Sequence, residues 1–139
     1  MKLELKHLAA YLPYNLEMKG LDGSIALLNC DSGISLGKYG IEWVLRTQKA
    51  KPILRPLSDL TKEIEVNGEK FVPIEWLIKN YTIYRYQFIE DKFYSLNFSK
   101  YVLYTEMPYD VVQKLHEWHF DTFGLIDAGL AIDINTLNK

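Results

Sequence analysis

The segment after Pro108 constrains the fold most, because its apolar and polar residues separate onto two faces at the spacing of an α-helix. One face collects Val111, Val112, Leu115, Trp118, His119, Thr122 and Phe123, and the opposite face collects Asp110, Gln113, Lys114, Glu117 and Asp121. Gly124 is typical of a helix C-terminus, since glycine readily adopts the left-handed conformation that ends many helices. We therefore predict a long amphipathic helix over residues 108–123, whose apolar face must pack against other elements.

Strand patterns supply some of those other elements. Nine of the 19 aromatic residues fall between residues 81 and 104, where Tyr84, Tyr86 and Phe88 alternate with polar residues. A period of two is typical of strands with one buried face, so we predict an antiparallel β-meander in this segment. Residues 130–135 alternate in the same way and predict a terminal strand.

Shorter patterns place the remaining elements in a chain of 139 residues. We predict an N-terminal helix over residues 5–12, a hairpin of strands 16–19 and 25–29, a strand over 42–46, a short helix over 58–64, a tight turn at Asn67-Gly68 and a helix over 73–79. No repeat or flexible linker divides the sequence. These features predict a single α+β domain over residues 1–139, built on an antiparallel sheet.

The cysteine content and the hydropathy indicate a cellular compartment. Cys30 is the only cysteine, which excludes an internal disulfide and favours a reducing compartment. Glu4, Lys6 and His7 interrupt the apolar residues near the start, so a signal peptide is not expected. No apolar run reaches the length of a membrane span. We expect a cytoplasmic protein that does not bind membranes.

Two short motifs resemble catalytic or metal-binding signatures but depart from both. Gly33, Gly37 and Lys38 have three residues between the glycines and Tyr39 after the lysine, whereas a phosphate-binding loop needs four residues and then serine or threonine. His116 and His119 are three residues apart, whereas the helical metalloprotease motif spaces its histidines by four. We predict no catalytic residues, no metal site and no cofactor.

Charge is unevenly distributed, although the net charge of −2 is too small to predict a nucleic-acid or membrane partner by itself. Residues 46–62 contain five basic residues and one acid, whereas residues 106–133 contain six acids and Lys114. The candidate binding residues are four cations and two tyrosines of the meander: Arg46, Lys49, Lys51, Arg55, Tyr84 and Tyr86. The opposed charges also favour a hypothesis of self-association, for example as a homodimer.

Two segments resemble those of small bacterial phage and prophage proteins for which no activity is established. They are KPILRPLSDLTKEI at residues 51–64 and QKLHEWHFDTFGLIDAGLAIDIN at residues 113–135. The resemblance covers about a third of the chain and implies a phage-associated origin, without implying any site residue.

These observations favour a non-enzymatic accessory or interaction protein that binds a protein partner. The first alternative is a nucleic-acid-binding module, with residues 46–62 contacting phosphates and the aromatic residues 81–104 stacking on bases. The second alternative is an enzyme of unknown type, for which Cys30, His116 and Asp133 are isolated candidates.

Overall fold

The computed structural model describes residues 2–29, 34–35, 38–81, 86–89, 92–95, 100–102 and 107–137. The chain divides into two compact units, of which unit 1 comprises residues 1–56 and 119–139 and unit 2 comprises residues 57–118. The chain thus leaves unit 1 after Pro56 and returns to it at His119. The α+β class is confirmed, and the single domain over residues 1–139 stays a prediction.

The described residues form helices and short strands that alternate along the chain. The four α-helices are α1 (Leu5–Ala9), α2 (Ile41–Thr47), α3 (Pro73–Tyr81) and α4 (Tyr109–Glu117). The strands are β1 (Glu17–Gly20), β2 (Ile25–Asn29), β3 (Ile34–Ser35), β4 (Lys38–Gly40), β5 (Ala50–Leu54), β6 (Ile64–Val66), β7 (Glu69–Phe71), β8 (Tyr86–Ile89), β9 (Lys92–Ser95), β10 (Lys100–Val102) and β11 (Ile132–Asp133). Single 3₁₀ turns occupy Leu12–Tyr14, Leu57–Thr61 and Ile134–Thr136.

Unit 1 contains a six-stranded sheet in the order β11-β5-β1-β2-β4-β3. The predicted hairpin of β1 and β2 is confirmed, with Met18 opposite Ala26. The prediction of an antiparallel sheet is wrong for this unit, because β2 pairs with β4 and β5 pairs with β11 in parallel. Parallel neighbours need a long connection, which the chain supplies for β5 and β11 by passing through unit 2 between them.

One face of this sheet supports the core of unit 1. Met18 and Leu54 are fully buried on that face, together with Leu8 of α1 and Leu16. The turn of the β1–β2 hairpin depends on Gly20, because a Cβ atom at this position would overlap the Tyr39 hydroxyl. Glycine therefore permits the close approach that lets this hydroxyl hydrogen-bond to Ser24 Oγ at 2.5 Å.

The strand predicted over residues 42–46 is wrong, because this segment lies within helix α2. Val44 is fully buried, and Ile41 and Leu45 pack against the same core. These three residues are spaced three and four apart, so a helix directs all of them inward whereas a strand would not.

The predicted long helix over residues 108–123 is also wrong in its extent, because α4 ends at Glu117. His119 has a φ of 63°, a left-handed conformation that stops the helix. The next residues instead join the edge of β5: the Arg55 N–H donates to the His119 carbonyl at 2.7 Å, and the Asp121 N–H donates to the Arg55 carbonyl at 2.9 Å. Gly124 belongs to a later turn, with a φ of 73°.

The predicted terminal strand over residues 130–135 is confirmed only for β11. Residues Ile134–Thr136 form a 3₁₀ turn instead, and the Asp133 carboxylate caps this turn by accepting a hydrogen bond from the Asn135 N–H at 2.8 Å. A local side-chain bond of this kind competes with strand pairing, which explains the shorter strand.

Unit 2 combines two small antiparallel sheets with α3 and α4. The predicted meander is confirmed by the strand order β10-β9-β8. The predicted turn at Asn67-Gly68 joins β6 to β7, and both residues have positive φ values of 53° and 84°. The helix predicted over residues 58–64 is reduced to the 3₁₀ turn Leu57–Thr61, because Ile64 already pairs with Phe71 in the β6–β7 hairpin.

Helices α3 and α4 pack together in unit 2. Leu77 of α3 and Val111 and Leu115 of α4 are fully buried. Within the described ranges, no helix combines the length and the hydropathy needed to cross a membrane.

Candidate functional site

The four predicted basic residues lie in unit 1. Arg46 is exposed in the last turn of α2, and Lys49 is exposed in the loop before β5. Lys51 is half-buried on β5, directly opposite Lys19 of β1. Arg55 is half-buried, and its backbone holds residues 119–121 in place. The structure thus adds Lys19 to this basic group.

The predicted tyrosines lie in a different part of the chain. Tyr84 is outside the described residues, and Tyr86 begins β8 in unit 2. In the same sheet, Phe93 is buried, whereas Tyr94 and Tyr101 pair edge to face with ring centroids 5.2 Å apart. At least one aromatic residue of the meander therefore serves as core, and Tyr101 remains exposed.

The two histidines of the motif lie in different surroundings. His116 lies within α4, whereas His119 follows the helix and bonds through Nε2 to the Tyr14 carbonyl at 2.6 Å. Burial lowers the pKa of both imidazoles, and the Tyr14 carbonyl opposes this effect at His119. Over the part of the chain that the structure describes, no three histidine, cysteine, aspartate or glutamate side chains gather where a metal could bind.

The isolated candidates for catalysis are only partly described by the structure. Cys30 lies outside the described residues, and the Asp133 carboxylate caps a turn. The glycines Gly33 and Gly37 also lie outside the described residues, whereas Lys38 begins β4 and pairs with Leu27 of β2.

A cleft in unit 2 is the site that the sequence did not reveal. Its volume is about 230 Å³, and its lining residues are Val66, Asn67, Glu69, Phe71, Trp76, Lys114, Glu117 and Trp118. They come from the β6–β7 hairpin, from α3 and from the end of α4. The Asn67-Gly68 turn joins the two hairpin strands that contribute to the cleft.

Three aromatic rings form the walls of this cleft. The Phe71 and Trp118 ring centroids are 5.0 Å apart, and the Trp76 and Trp118 centroids are 5.1 Å apart with nearly perpendicular planes. Trp118 is almost entirely buried, whereas Trp76 and Phe71 are half-buried. The buried indole therefore fixes the position of the two rings that reach the surface. The edge-to-face packing of Trp76 on Trp118 stabilises that pair by roughly 0.5–1.5 kcal/mol beyond the burial of area.

A pair of opposite charges lies at the same cleft. Lys114 Nζ is 4.7 Å from the centroid of the Trp76 ring and 5.5 Å from that of Trp118. The same ammonium is 2.5 Å from Glu117 Oε2. The sequence placed Lys114 on the solvated face of the helix, yet only 22% of its side chain is exposed. The four-residue spacing of Lys114 and Trp118 is a signal that could have indicated their contact, but the amphipathic pattern assigned the two residues to opposite faces.

The lining of the cleft combines aromatic rings with charged side chains. The cleft contains no serine, threonine, cysteine or histidine among its eight lining residues, and its ionisable groups are Glu69, Lys114 and Glu117. It does present aromatic faces and carboxylates to solvent. Its volume is below the roughly 300–1,000 Å³ of pockets that enclose drug-sized ligands, and it suits a single side chain.

Comparison with known proteins gives no match: no protein-family model fits the chain, and no curated protein or solved structure is significantly similar to it. The function therefore has to be inferred from the site.

Proposed function

We propose that the chain is a non-enzymatic interaction protein of a bacteriophage or prophage, and that the cleft of unit 2 receives a side chain of a partner protein. The observation that carries this proposal is the open cleft walled by Phe71, Trp76 and Trp118. Aromatic residues, tryptophan above all, dominate the binding energy of protein interfaces. The resemblance of residues 51–64 and 113–135 to phage and prophage proteins supports the origin.

Peptide display on the immobilised protein tests the binding site. We expect selected peptides to lose affinity about tenfold when Trp76 is replaced by alanine, because the substitution removes one wall of the cleft. Ile78→Ala on the same helix is the matched control, since Ile78 is exposed and does not line the cleft. Fluorescence polarisation measures both affinities. Equal losses in the two folded variants would refute the proposed site.

Nucleic-acid binding through unit 1 is a second candidate, favoured by one specific observation. Lys19 and Lys51 lie opposite each other on neighbouring strands, so two like charges are held side by side. A phosphate between them would relieve their repulsion.

A salt titration with a single-stranded oligonucleotide separates this candidate from the first. If unit 1 binds phosphates, the wild-type protein should bind at low ionic strength and weaken steeply as salt rises, since binding releases counterions. Lys51→Met should reduce both the affinity and the salt dependence, whereas Lys79→Met in α3 should change neither. Absence of binding at low ionic strength would eliminate this candidate.

A further inference from the structure

The cleft of unit 2 already contains a cation. The Lys114 ammonium lies over two indole rings and against the Glu117 carboxylate, which is the combination of groups that recognises ammonium ions in proteins. The aromatic faces carry the negative part of the ring quadrupole, so they attract a positive charge. The side chain of Lys114 thus shows what chemistry this site accepts.

We infer that the cleft is a receptor for the ammonium group of a lysine side chain on a partner protein, and that Lys114 holds this position until the partner's lysine displaces it. The inference rests on the proposed function and adds the chemical identity of the recognised group. Lys114 acts as an internal competitor that occupies the indole faces of Trp76 and Trp118 in the free protein.

The charges of the lining favour a cationic occupant. Glu69 and Glu117 contribute two carboxylates against the single ammonium of Lys114. The lining therefore has one excess negative charge while Lys114 is in place, and two once its side chain moves away. An incoming carboxylate or phosphate would be repelled by both glutamates, whereas an ammonium returns the lining to a single excess negative charge.

Exchange of one ammonium for another requires little rearrangement. Lys114 is partly exposed at the cleft, and its side chain is a flexible stem that ends in a compact charge. Its rotation into solvent leaves α4 unchanged. The binding energy then equals the difference between two similar ammonium interactions, so the free protein binds an added ammonium weakly and removal of Lys114 strengthens the binding.

Tetramethylammonium is a suitable probe, because it carries the positive charge without any hydrogen-bond donor. We expect Lys114→Met to bind it roughly tenfold more tightly than the wild-type protein does, since the intramolecular competitor is removed. The indole N–H resonances of Trp76 and Trp118 should shift during the titration. Trp43, which stacks on Tyr39 in unit 1, is an internal reference that should not shift with them.

Two controls distinguish binding to the aromatic walls of the cleft from general electrostatic attraction to the protein. Lys79→Met makes the same change in net charge at an exposed position of α3, and it should leave the affinity at the wild-type value. tert-Butanol has nearly the shape of tetramethylammonium without its charge, and it should not produce the same shifts. Adding Glu117→Gln to Lys114→Met should reverse the gain. Lys114→Gln tests the same expectation if the methionine variant does not fold.

The outcome decides the inference in either direction. A tighter affinity confined to the Lys114 variants and reversed by Glu117→Gln supports the ammonium receptor. Equal affinities of the Lys114 and Lys79 variants, or equal shifts with tert-butanol, would overturn it. If the affinity of the selected peptides still depended on Trp76, the cleft would bind a partner through a group other than an ammonium. Failure of the inference is therefore distinct from failure of the proposed function.

Discussion

Replacement of Tyr11 by alanine is expected to lower the free energy of unfolding by about 3–5 kcal/mol, the typical cost of removing a large aromatic side chain from a core. Tyr11 is fully buried in unit 1 beside Leu8 and Leu16, and its ring meets the edge of Phe123. The cavity left by alanine lies where α1 and the sheet meet the segment that follows α4. Urea denaturation followed by circular dichroism measures the loss.

The Tyr11 hydroxyl has a separate contribution that Tyr11→Phe isolates. The hydroxyl donates to the Phe120 carbonyl at 2.5 Å and accepts from the Thr122 N–H at 3.3 Å. Burial raises the pKa of this phenol, so it remains a hydrogen-bond donor over the ordinary pH range. We expect a loss of about 1–3 kcal/mol. Tyr109→Phe is the control, because Tyr109 is 78% exposed, and an equal loss in the two variants would contradict the role of the buried hydroxyl.

Elements with local turn signals could be predicted from the sequence. The β1–β2 hairpin and the β6–β7 turn were predicted correctly, because residues 20–23 and Asn67-Gly68 specify their own backbone conformation. The meander was predicted because its alternation repeats over several strands. In each of these cases the signal and the structure involve the same short stretch of chain.

Elements that depend on distant partners could not be predicted in this way. Helix α4 has the predicted apolar face up to Trp118, but the segment after it exchanges hydrogen bonds with Arg55, which is more than 60 residues earlier in the sequence. Helix α2 is too short for the period of its apolar residues to be distinguished from that of a strand. Burial of Val44 in the core of unit 1 decides the conformation of this segment.

The candidate site was missed for the same reason. Its aromatic walls come from β7, α3 and the end of α4, and no local pattern relates Phe71 to Trp76 and Trp118. The predicted binding residues Arg46, Lys49 and Lys51 were found by composition, which identifies charged segments without showing how they meet in space. Tyr84 and Tyr86 were chosen because they alternate with polar residues in the aromatic segment, whereas the cleft uses tryptophan and phenylalanine.

Asp121 shows most directly how the fold overrides the helical pattern. The sequence placed it on the polar face of a continued helix, yet its side chain is buried with 6% exposure. Its two carboxylate oxygens accept hydrogen bonds from the Leu125 and Ile126 N–H groups, each at 2.8 Å. The carboxylate therefore stabilises the turn that carries the chain from the end of α4 towards β11.

Replacement of Asp121 by alanine should lower the free energy of unfolding by about 2–4 kcal/mol, because both charge-assisted hydrogen bonds are lost from a buried site. Asp121→Asn keeps one acceptor oxygen and should cost about half as much, whereas Asp127→Ala in the same turn should have little effect, since Asp127 is exposed. Urea denaturation of the three variants gives the order of stability. If the alanine variants at positions 121 and 127 were equally stable, the buried carboxylate would not be what holds this turn.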